Sequence, residues 1–183
     1  MTPYFAQYKP FFIFLLKFFG VYILLTTFYQ YYLDSFDSSM FEVDGFTRFV
    51  AKQTDVILNL FYNAKMNPHP LQASIQVSLE GDYLARIVEG CNALSVMILF
   101  IAFVVAFKGK LKQTLLFIVA GVFVIHVLNI VRIALLTMAL LNYPQYGHVL
   151  HSVVFPLFIY GVVFLLWVIW VNKYSSYAKS ASK

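Results

Sequence analysis

One cysteine, Cys91, stands where a polar stretch gives way to an apolar one, in the run Glu89-Gly90-Cys91-Asn92-Ala93-Leu94. A lone thiol has no internal disulfide partner, so it is either a small buried hydrophobe or a reactive group. Two other chemistry-bearing side chains sit on later apolar runs. Arg132 lies in Asn129-Ile130-Val131-Arg132-Ile133, and His151 opens the last run with His148 just before it. A thiol is nucleophilic as its thiolate, which a nearby guanidinium or imidazolium favours. Histidine titrates near neutrality, so it can take the thiol proton and return it to a leaving amine. Arginine stays charged and can face a thiolate or the oxyanion of a tetrahedral intermediate. Together the three residue types form the set that acyl transfer from a peptide bond requires.

The elements that must hold these residues are membrane helices. Of 183 residues, 61% are hydrophobic and only 11% charged, with a mean hydropathy of +0.77. Soluble domains carry roughly a quarter charged residues, so the composition reads as an integral membrane protein of one compact domain. The first apolar run is long and aromatic and lacks a small-residue cleavage site, so it reads as a retained span and not as a signal peptide. The formal charge of +5 does not point to nucleic acid, because the basic residues cluster beside the apolar runs and form no continuous stripe. The expected fold is an all-α integral membrane protein with about four transmembrane helices, over 11–33, 87–107, 115–141 and 149–171. Each expected span approaches or exceeds the roughly 20 residues needed to cross about 30 Å of hydrocarbon. Lys17 interrupts the first, where its stem can snorkel toward the N-terminal side.

Between the first two spans, residues 34–86 form a small extracytoplasmic cap. All eight acidic residues of the chain fall between Asp34 and Glu89. Apolar positions at helical spacing predict an amphipathic helix over 43–62, ended by Asn67-Pro68-His69-Pro70. Alternation at Ile75, Val77 and Leu79 before Glu80-Gly81-Asp82 predicts a short β-hairpin leading to the cysteine. Lysines flank the N-terminus (Lys9, Lys17), fill the loop after the second span (Lys108, Lys110, Lys112) and fill the tail (Lys173, Lys179, Lys183). The positive-inside rule then puts both termini in the cytoplasm, and the cap and site outside the inner (cytoplasmic) membrane. With that topology, at ~1.5 Å per residue, Cys91 lies about 25 Å above Lys108 and Arg132 about 30 Å above Lys112. His151 lies about 32 Å above Asn172. All three meet near the outer surface.

These motifs resemble those of the exosortase/archaeosortase family, most closely exosortase F of Bacteroidetes. Glu89-Gly90-Cys91-Asn92-Ala93-Leu94 is similar to the family's E-x-C-[SN]-[GA]-L step, and Asn129-Ile130-Val131-Arg132-Ile133 to its N-x-x-R-[IV] step. A histidine opening the last span completes the resemblance, which covers about 80–170. It implies a membrane cysteine transpeptidase that cleaves the C-terminal sorting signals of exported proteins, with Cys91, Arg132 and His151 catalytic. The implied substrate carries a short motif, an apolar helix and a basic tail. Larger family members have about eight spans, so this chain resembles a short form. His148 and His151 both fit the histidine position; His151 is preferred because a full span follows it.

Plainer readings stand beside these. Cys91 can be a packing residue, Arg132 a headgroup-snorkelling cation, and His148 an interfacial loop residue. Glu89 can cap the second span through its N-terminus or orient the site, and Asn129 can bond backbone or substrate. His126 is expected in a helix–helix hydrogen bond, and His69, between prolines, at the surface. A zinc site from His148, His151 and Cys91 lacks the usual close ligand pairs, and no cofactor is expected. The lipid bilayer is a partner by composition. A non-catalytic membrane subunit or small transporter component, and a thiol-based acyltransferase, are the competing functions. Against the subunit reading, the spans hold no acidic residue to pair with Arg132.

Overall fold

The computed structural model of the chain describes residues 3–37 and 40–175. Of the lysines that argue for orientation, Lys179 and Lys183 lie outside these described residues. Three helices are long and apolar enough to cross a membrane: α1 (Pro3–Leu33), α4 (Leu111–Asn142) and a composite C-terminal helix over Pro144–Tyr174. The last is built from a 3₁₀ turn (Pro144–Tyr146), α5 (Gly147–Val149), a π-helical turn (Leu150–Val154), α6 (Phe155–Ile169) and a second π-helical turn (Trp170–Tyr174). Large apolar side chains such as Phe11, Leu16, Phe28, Leu116, Phe123, Leu157 and Phe164 stand exposed along these helices. An aqueous surface rarely carries so much apolar area, whereas hydrocarbon accommodates it.

The expected second span is corrected. Its helix, α3, covers only Leu94–Ala106, 13 residues, or about 20 Å, short of a bilayer core. The cause lies upstream: Ile87 is claimed by a strand, Glu89–Cys91 by a 3₁₀ turn, and Ala93 is left-handed with φ 63°. Helical rise toward the thiol therefore counts only from Leu94.

The chain is mostly helical, and its cap adds one strand to the expected hairpin, giving a three-stranded antiparallel sheet in the order β1-β2-β3. These strands are β1 (Ala64–Pro68), β2 (Ile75–Leu79) and β3 (Asp82–Ile87). The expected hairpin is β2–β3, closed by Glu80 and Gly81 at φ 54° and 98°, the positive angles that two-residue hairpin turns demand. The unforeseen strand is β1, which runs through the start of the Asn67-Pro68-His69-Pro70 stretch. Proline is tolerated there because β1 is an edge strand.

The amphipathic helix α2 covers Gly45–Leu58 and not 43–62. Asp44 caps it, accepting from the Thr47 N–H at 2.9 Å, and Asn59 closes it by donating to the Asp55 carbonyl. Its buried stripe is Thr47, Val50, Ala51, Thr54 and Leu58, the spacing of one helical face. That stripe meets the inner face of the sheet (Ile75, Val77, Leu79, Ile87) and the upper part of α4 (Ile130, Ile133, Ala134) in one core. A second core joins α3, α4 and α6 through Met97, Phe100, Val104, Ile125, Val163 and Trp170.

α3 runs antiparallel to α1 and to α4. At one end Phe14 meets Phe103 and Phe107, and Phe117 meets Phe100 and Trp170. At the other, Asn92 reaches Tyr29 and Asn129 reaches Cys91. The lysine end and the cysteine end of the bundle are therefore opposite. Lys9, Lys17 and Lys108 converge on a single cavity at the first.

Candidate active site

The Glu89–Cys91 turn places the thiol just after β3, where the chain passes from sheet to helix. Asn92, 1% exposed, anchors the next step. Its Nδ2 donates to the Tyr29 hydroxyl at 3.2 Å and to Thr47 Oγ1 at 3.1 Å, tying α1 and α2 to the start of α3. Its Oδ1 accepts from the Leu94 N–H at 2.8 Å, supplying the first turn of α3 with a partner for one of its orphan donors. Ala93 bridges the two in the left-handed region, a conformation that costs a Cβ-bearing residue about 1–2 kcal/mol. The buried hydrogen bonds on either side offset that cost.

From α4, the fully buried Asn129 donates Nδ2 to the Cys91 carbonyl at 2.8 Å. Its Oδ1 accepts from an Arg132 terminal nitrogen at 3.4 Å. Asn129 thus links the cysteine backbone to the guanidinium and does not serve as a free polar side chain. Arg132 Nε is buried without a hydrogen-bond partner among the described residues. A guanidinium with unused donors favours whatever acceptor enters beside it.

Cys91, Arg132, His148 and His151 line one cavity of about 330 Å³, together with Arg86, Ile133, Thr137 and Ser152. The structure brings together all three residues expected to be catalytic and the alternative histidine. Arg132, His148 and His151 line this space and no Asp or Glu does, so its field favours anions that form within it; Arg86 lines it too, with its guanidinium donating to Gln72 Oε1. His148 and His151 are both exposed. Ser152 and Val153 are exposed as well, because the π-helical turn holding His151 stands clear of the helices that would enclose it.

Glu89 is not on this cavity. It lines a separate one with Asp34, Glu42 and Asp44, and it interacts with the Tyr29 hydroxyl. A 3₁₀ turn has three residues per turn, so positions two apart point in different directions. Glu89 reaches Cys91 only through Tyr29 and Asn92. Three residues were missed by reading the chain alone. Two are Arg86, five residues before the cysteine, and Tyr29 on the first span, neither of which carries a local signal of chemistry. Asn92 lay inside the motif without a role.

His126 does form a helix–helix hydrogen bond, to Gln53 on α2 at 2.7 Å, which brings the cap helix down the side of α4. His69 accepts from the Leu71 N–H within its own loop. No group of three or more His, Cys, Asp or Glu among the described residues is arranged to hold a metal ion.

Three long apolar helices, and a cavity lined by a thiol before α3, a guanidinium of α4 and imidazoles of the C-terminal helix, define a multi-pass membrane protein with a cysteine-containing site. The sequence pattern of the transmembrane exosortases matches residues 11–171, and the chain belongs to that family. Membership marks it as one of a family of membrane transpeptidases that process sorting signals. Among curated proteins and solved structures, none matches the chain.

Proposed function

We propose that the protein is a membrane cysteine peptidase or transpeptidase that cleaves the C-terminal sorting signals of exported proteins through a thioester acyl-enzyme. The observation that carries this reading is convergence. Cys91, Arg132 and His151 come from three separate segments of the chain and line the same cavity. In the reaction, the His151 imidazole takes the thiol proton and Cys91 Sγ attacks the scissile carbonyl carbon. Arg132 faces the oxyanion, using donors that the protein leaves unpaired. The C–N bond breaks, the imidazolium returns its proton to the leaving amine, and the thioester passes to an amine, a lipid-linked acceptor or water. Asn129 positions both the nucleophile and the guanidinium.

The proposed substrate is an exported protein ending in a short motif, an apolar helix and a basic tail. The lysine end of the bundle supports an orientation with both termini in the cytoplasm and the Cys91 cavity at the outer face of the cytoplasmic membrane. The Glu89–Leu94 and Asn129–Ile133 motifs support the exosortase F subtype. Processing of such a tailed protein in membranes tests the reading. Cys91→Ala is expected to abolish processing while the variant still inserts at the wild-type level; normal processing by that variant overturns the enzyme.

A further inference from the structure

Leu84, Ala85, Arg86 and Ile87 all line the cavity that holds Cys91. Successive side chains of a strand point to opposite faces, so a cavity lying against a face of the sheet meets alternate residues. Contact with consecutive residues means that the edge of β3 borders it. A bulge interrupts the register at Leu84, but Ala85, Arg86 and Ile87 pair regularly with Val77, Gln76 and Ile75. β2 occupies the other edge of β3, and no further strand follows in the order β1-β2-β3. Among the described residues, no backbone hydrogen bond beyond the β2 ladder reaches residues 84–87.

The two edges of this sheet are treated differently. β1, away from the thiol, ends in Pro68, and proline blunts an edge against further pairing. β3 holds no proline, and it leads within four residues of its end to Cys91. α4 packs against β3, yet the cavity separates its Ile133, Leu136, Thr137 and Leu140 from the strand's edge, and an edge that faces a cavity is a template for another extended chain. Peptides are widely recognised by such strand addition, with main-chain bonds supplying affinity and alternate side chains supplying selectivity.

We infer that the extended segment of the exported protein just N-terminal to the scissile bond pairs with β3 as a fourth strand, parallel to it, and is led along that edge to Cys91. The inference rests on the reading of Cys91 as the nucleophile. It also accounts for the direction of approach: β3 runs toward the thiol, and the substrate's apolar helix follows the scissile bond.

The test uses the full-length Cys91→Ala protein in membranes with a tailed exported protein as probe. A photo-crosslinking benzoylphenylalanine is placed singly at Leu84 and at Arg86. Both positions are expected to capture one segment of the probe upstream of its cleavage point, with the Arg86 capture about two residues nearer that point. The same residue placed at Phe123, on the exposed face of α4, is expected to show no such register. If the wild-type protein shows no Cys91-dependent processing of the probe, the nucleophile reading fails and the strand falls with it. If processing depends on Cys91 but the crosslinks fall elsewhere in the probe, reverse their order, or join β3 to a second copy of the chain, the strand pairing alone is overturned.

Discussion

On one wall of the cavity Cys91 is held by buried amides, while on the other His148 and His151 stand exposed on the first turns of an irregular helix. Asn92 and Asn129, both essentially inaccessible to solvent, spend their hydrogen bonds on α1, α2, the start of α3, the Cys91 carbonyl and Arg132 of α4. The histidine wall has no comparable anchoring. A π-helical turn closes i→i+5 bonds and is a local departure from the α-helix that often marks functional sites. Neither imidazole on this segment has a hydrogen-bond partner among the described residues. The contrast teaches that the cysteine is preorganised by the fold, whereas the histidine proposed as its acid–base partner is left to be ordered by what binds.

After loss of the thiol itself, the largest effect is expected on the loose wall. Replacing His151 by alanine should lower processing by about 10²–10⁴-fold, the usual contribution of general acid–base catalysis. His148→Ala should lower it severalfold at most. Single-turnover rates on a tailed substrate decide this, and the reverse order of defects would transfer the role to His148 while leaving the contrast between the walls intact.

Next comes Arg132→Lys. Lysine offers a point charge without the planar fork that bonds Asn129 Oδ1. A loss of about 10²-fold is expected, as for removal of one oxyanion donor, with unchanged insertion in the membrane. Near-normal rates in the lysine variant would show that charge alone suffices and that the guanidinium is not part of the preorganised wall.

Asn92→Ala addresses the scaffold itself. It leaves the Leu94 N–H without its cap and removes the bond that ties Tyr29 and Thr47 to the head of α3. A destabilisation of about 1–3 kcal/mol is expected, measured by unfolding in detergent. Unchanged stability would mean that the Asn92 hydrogen bonds are not what holds this wall rigid.

The smallest effect sharpens the comparison. Ala93→Gly removes the Cβ from a left-handed residue, so strain falls while the unfolded chain gains entropy. The net stabilisation should be under about 1 kcal/mol, seen as a small rise in Tm. Ala93→Val should lower Tm, because a β-branched residue suits this conformation poorly.

The apolar runs were legible in the sequence because a helix in hydrocarbon must satisfy its own backbone hydrogen bonds, so its signal is local and about 20 residues long. The chemistry-bearing residues were legible for a related reason: one thiol and an arginine without an acidic partner stand out against apolar surroundings. The hairpin before the thiol could also be read, since alternation and a Glu80-Gly81 turn are local signals. Relations between segments were not readable in this way. Ile87 pairs with Ile75 across the hairpin, and that register, not hydropathy, delays α3 until Leu94. β1 exists because residues 64–68 find a partner in β2, against the breaking tendency of Pro68. Arg86 lines the cavity with its strand neighbours and Glu89 lines another one, a division that only the packing of the cap against α4 makes definite. The sequence by itself determined which groups are available for chemistry and that they sit among apolar helices. The tertiary structure decided which of them share one cavity, because proximity between distant segments depends on packing and register that no single segment encodes.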